Sequence, residues 1–90
     1  MHDFITIIQR AGFSSYKELV RWTKKQLSVR TIKYREEAVY QSEIVHLYAH
    51  HFELDKKEAI KLYNALVGMG LLKEHYGLWT DNYLCTTFNV

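Results

Sequence analysis

The feature that most restricts the fold of this chain is the run from Ser42 to Leu72, SEIVHLYAHHFELDKKEAIKLYNALVGMGLL. Asp55, with Glu58 three residues on, has the capping-box spacing, in which side-chain acceptors take unpaired amides of a first helical turn. Behind it Ala59, Ile60, Tyr63, Leu66 and Val67 recur at helical spacing until Gly68 and Gly70 stop the pattern, which predicts a helix over 56–68 with those residues inward. Ser42 is placed to cap a preceding helix over about 43–52, with Ile44, Val45, Leu47 and Tyr48 inward. Two helices joined by so short a turn fold back on each other around a shared core. Ninety residues, 48% of them hydrophobic, suffice for one core of this kind and exclude a second domain.

The flanking segments add elements of both kinds. Phe4, Ile7, Ile8 and Ala11 fall at helical spacing before Gly12, predicting a short first helix. Ser15 and Glu18 repeat the capping-box spacing and open a helix over 16–27. Its apolar stripe is Tyr16, Leu19, Val20, Thr23 and Leu27, opposite Lys17, Arg21, Lys24 and Lys25. Residues 29–40 mix β-branched and aromatic residues with charges and read as extended. After Gly70 the sequence alternates apolar and polar residues around Tyr76-Gly77 and Asp81-Asn82, the pattern of a hairpin. The expected class is α+β, a winged helix with a three-helix core, a C-terminal β-hairpin wing and an extra short N-terminal helix. Residues 1–90 form the single domain and 1–13 its helical extension.

The net charge of +2 hides a segregation of sign. Residues 1–35 carry eight Lys or Arg against two acids, whereas residues 36–90 carry four Lys against eight acids and no arginine. A basic face built from the first third is expected, suited to phosphates or acidic partners. No apolar run approaches the ~18 residues of a membrane span and the N-terminus lacks a secretory pattern, so a cytoplasmic protein is expected. The single cysteine, Cys85, agrees with a reducing compartment.

Three stretches resemble the DEP domain, a winged-helix module. Ser42-Glu43-Ile44-Val45 is similar to the family's G-S-E-L-V-D-W-L helix start. Glu58-Ala59, followed after six residues by Leu66-Val67-Gly68-Met69-Gly70-Leu71-Leu72 and His75, resembles its E-A, x6, L-L-x-x-G-L-I-x-H run. Trp79-Thr80-Asp81-Asn82-Tyr83-Leu84, ending at Phe88, resembles its closing strand, and Val29-Arg30 with Arg35 resembles its basic arm. The likeness spans about residues 16–88, with Gln41 in place of the usual glycine and His46-Leu47 in place of Asp-Trp. It implies a non-catalytic signalling module that docks on membranes or proteins.

Lys17, Arg21, Lys24, Lys25, Arg30 and Lys33 are accordingly the expected contacts to an acidic membrane surface or protein partner. The alternative is a DNA-binding transcriptional regulator reading with Lys56, Lys57, Lys61 and Asn64. That helix has no arginine, and residues 55–67 hold three lysines against two acids, a poor match to a phosphate-lined groove. No enzyme, cofactor or metal site is expected. His46 and His50, with His51 and Glu43 nearby, read as a solvated polar face, since the H-E-x-x-H arrangement is absent. Cys85 reads as a small core or edge residue, and Gly68-x-Gly70 closes a helix where a phosphate loop would open one. Trp79 is expected in the core and Trp22 against the N-terminal helix, which, if it stayed exposed, would favour a homodimer.

Overall fold

The computed structural model describes residues 4–28, 38–76 and 84–90. Among these the chain is a small α+β fold of four helices and a three-stranded antiparallel sheet. The elements are α1 (Phe4–Arg10), α2 (Tyr16–Ser28), β1 (Ala38–Tyr40), α3 (Gln41–His51), α4 (Lys56–Gly68), β2 (Leu72–Tyr76) and β3 (Leu84–Phe88). Most of the expected extended segment and the expected hairpin tip, including Gly77, Trp79, Asp81 and Asn82, lie outside the described residues.

Among the described residues, six of the eight helix ends have an identifiable local cause. α4 begins where expected because the Asp55 carboxylate accepts the Glu58 amide at 2.8 Å. α2 begins where the Ser15 hydroxyl accepts the Glu18 amide at 3.2 Å. The start of α3 departs from expectation: the helix opens at Gln41, and Ser42 is an exposed first-turn residue instead of its cap. The Glu43 carboxylate accepts the Tyr40 amide at 3.2 Å, so the acid three residues into the turn does the fastening.

The C-terminal ends of α1, α3 and α4 close alike. Phe13, Leu54 and Leu71 each return their amide to a carbonyl five residues back, on Ile8, Ala49 and Leu66. In each case the residue before the returning amide adopts positive φ: Gly12 at 99°, Glu53 at 53° and Gly70 at 79°. Glycine is the usual occupant of that position because a Cβ is disfavoured there. Glu53 is the exception.

One core joins all four helices to the sheet. Ile8, Leu19, Val20, Leu27, Val39, Ile44, Tyr48, Ala59, Leu62, Tyr63, Leu66 and Leu72 are essentially without solvent contact. Leu62 belongs to this set, whereas Ile60 and Val67 are only half-buried, so the inward stripe of α4 follows Ala59, Leu62, Tyr63 and Leu66 at strict i, i+3, i+4, i+7 spacing. Leu47 likewise turns partly outward on α3. Ile8 sits in the core and Phe4 and Ile5 pack against it. The apolar face of α1, whose exposure was the condition for a homodimer, is thus packed largely within the chain.

In the sheet β3 lies between β1 and β2, with Val39 opposite Thr86 on one side and Glu74 opposite Thr86 on the other. Strand alternation puts Val39, Thr86, Glu74, Leu72 and Phe88 on one face. That face meets α4 through a hydrogen-bonded row: the Tyr63 hydroxyl lies 2.9 Å from the Glu74 carboxylate and 2.6 Å from the Thr86 hydroxyl. A carboxylate only accepts, so Tyr63 donates to Glu74 and Thr86 donates to Tyr63.

Candidate functional site

α2 is oriented by its inner face. Leu19, Val20, Thr23 and Leu27 are all buried. The Thr23 hydroxyl donates to the Leu19 carbonyl at 2.8 Å, a return bond to the preceding turn. With its hydrogen so used, Thr23 accepts from the Tyr48 hydroxyl of α3 at 2.7 Å. Burial raises the Tyr48 pKa well above the ordinary phenol range, and the Thr23 bond opposes this only in part. This pair fixes the rotation of α2 and hence what it shows to solvent.

What it shows is cationic. Lys17, Arg21 and Lys25 are exposed and Lys24 half-buried, at positions i, i+4, i+7 and i+8 that share one helical face away from Leu19 and Thr23. Four of the six expected basic residues are therefore brought together, while Arg30 and Lys33 lie outside the described residues. At the N-terminal edge of the face, the Ser14 hydroxyl and the Ser14 amide (3.1 Å) both donate to the Glu18 carboxylate. These bonds, with a smaller effect from Arg21, hold the Glu18 pKa below its usual value. Glu18 is consequently a fixed anion beside the basic face, tied to the start of the helix.

Trp22 flanks the face and is half-buried. Its ring meets Phe13 edge-on at 5.2 Å and lies 4.5 Å from the imidazole of His51. Phe52 completes the cluster, 6.1 Å from Phe13 and 5.0 Å from His51. Trp22 thus packs on the turn after α1 and on the end of α3. His51 was missed as its partner because the two residues meet only through the α2–α3 packing. Ile7 and Arg10 of α1, with Ala11 just after it, face His51, Phe52, Glu53 and Leu54 across a notch of about 380 Å³, which puts the exposed Arg10 at the edge of this notch.

The other expected set also shares a surface. Lys56, Lys57, Lys61 and Asn64 are all exposed on the outer side of α4. Lys61 lies 3.7 Å from the Glu58 carboxylate, a surface ion pair that partly offsets its charge. On α3, Ser42, Glu43, His46, Leu47 and His50 line a groove of about 590 Å³. Cys85 is fully buried in β3, as a small interior residue.

No helix among the described residues is long and apolar enough to cross a membrane. Comparison of the chain with protein-family models, curated proteins and solved structures returns no match.

Proposed function

We propose that this chain is a DEP-like winged-helix module that acts without catalysis, docking through the basic face of α2 onto an acidic membrane surface or an acidic protein segment in the cytoplasm. Two observations support the architecture in this reading: the order α2, β1, α3, α4, β2, β3 and the sheet order β1-β3-β2, which joins the first strand to the last. The docking role rests on one: Lys17, Arg21, Lys24 and Lys25 share a face that the fold holds outward.

Each cation held at an anionic leaflet contributes about 1 kcal/mol, so four supply roughly 4 kcal/mol, on the order of a thousandfold enrichment. Such binding is reversible and weakens with salt, because exposed charges are screened within about 10 Å at 0.1 M ionic strength. Co-sedimentation with vesicles tests it. Binding is expected to phosphatidylserine-containing vesicles, weaker at high salt, and absent from neutral phosphatidylcholine vesicles. Equal binding to both, or none to either, removes the lipid version.

Duplex DNA is the second reading, favoured by the common exposure of Lys56, Lys57, Lys61 and Asn64 on α4. Its weakness is the absence of arginine from that helix and the Glu58 carboxylate against Lys61. A mobility shift on random duplex at low salt reports it directly.

A further inference from the structure

The outer side of α3 carries a second arrangement, independent of the basic face of α2. His46 and His50 are one helical turn apart, which sets their Cβ atoms about 5–6 Å from each other on a single face. Both are exposed, and both line the groove of about 590 Å³ over Leu47. Glu43, one turn nearer the N-terminus, lines the same groove. Its carboxylate accepts the Tyr40 amide at 3.2 Å.

Two histidines at i and i+4 are the element by which a helix closes a chelate around a metal ion. Imidazole nitrogen suits Zn²⁺, Ni²⁺ and Cu²⁺, whereas Mg²⁺ and Ca²⁺ prefer oxygen ligands. Among the described residues no group of three or more His, Cys, Asp or Glu is arranged to hold a metal ion, so the chelate contributes two ligands and leaves the remaining positions to water. The spacing alone reads as a solvated polar face; the groove that His46 and His50 share with half-buried Leu47 and with Glu43 is what separates this pair from scattered surface histidines.

We propose that His46 and His50 form a two-imidazole chelating site for a divalent transition-metal ion on the outer face of α3. The test is calorimetric titration of Ni²⁺ into the full chain, prepared without a histidine tag and in a His2→Gln background, which removes a histidine outside the described residues. One saturable site per chain is expected. His46→Gln and His50→Gln should each weaken it at least ~10-fold, as loss of a ligand must cost no less than loss of a ligand's supporting partner. His51→Gln and His75→Gln should leave it unchanged, since His51 stacks on Trp22 and His75 bonds the Thr87 hydroxyl. Far-ultraviolet circular dichroism of each variant checks that it folds. Absence of saturable binding below millimolar metal, binding that survives both substitutions, or loss in only one of the two would each overturn the chelate.

Discussion

α2 and α4 are both thirteen residues long, both turn lysines outward, and both are fastened inward by a tyrosine–threonine hydrogen bond. They differ in where charge is placed. On α4 the Asp55 carboxylate caps the first turn and Glu58 pairs with Lys61, and the hydrogen-bonded row through Tyr63 ends on the Glu74 carboxylate. On α2 the row through Thr23 ends on a backbone carbonyl, and the lysines and the arginine gather on the outer face with Glu18 at its edge. The acids of α4 lie at its capped first turn and beside Lys61, whereas the basic residues of α2 share its outer face.

The two inner rows should therefore fail differently. Tyr63→Phe strands a buried Thr86 hydroxyl and takes a donor from a carboxylate, for an expected cost of about 1–3 kcal/mol. Tyr48→Phe leaves Thr23 still bonded to Leu19 and should cost nearer 1 kcal/mol. Chemical denaturation of the two variants measures the difference, and a larger loss for Tyr48→Phe would break the comparison.

Alkaline pH probes the α2 row through Tyr48. The folded state holds the Tyr48 proton more tightly than the unfolded chain does, so this contribution is complete below pH ~10 and is lost as pH rises beyond it. Stability should fall by at most about 1.4 kcal/mol per pH unit from this group, and the slope should shrink in Tyr48→Phe, as read from denaturation midpoints between pH 9 and 11.

A smaller contrast lies in the turns that lead into the two helices. α2 follows Gly12 and α4 follows Glu53, both at positive φ. Glu53→Gly should stabilise the fold by about 0.5–1 kcal/mol, while Gly12→Ala should destabilise it by about 1 kcal/mol. Nothing crowds a Cβ at Gly12, so its cost is conformational alone, and thermal melts should move in opposite directions.

Features that depend on neighbours in the chain were legible in the sequence. The Asp55–Glu58 spacing and Gly70 set the two ends of α4, and the i, i+4, i+7, i+8 spacing of Lys17, Arg21, Lys24 and Lys25 set one face of α2. Features that depend on distant residues were not. Thr23 counts as part of an apolar stripe until Tyr48, twenty-five positions away, meets its hydroxyl. Leu62 and Ile60 are interchangeable by composition, and only packing against α3 and the sheet selects Leu62 for the core. Glu53 carries no signal of its backbone geometry, because the turn uses a glycine conformation without a glycine. Ser42 was a plausible cap, yet the Glu43 bond to the Tyr40 amide started α3 earlier.

The central claim is that the outer face of α2, rather than that of α4, meets the acidic partner. It is tested by comparing Lys17→Gln/Arg21→Gln/Lys25→Gln with Lys56→Gln/Lys57→Gln/Lys61→Gln, two variants with the same loss of charge, in co-sedimentation with phosphatidylserine vesicles. The α2 variant should lose about 3 kcal/mol, a ~10²-fold fall in affinity, and the α4 variant less than tenfold. An equal or larger loss in the α4 variant would contradict the account.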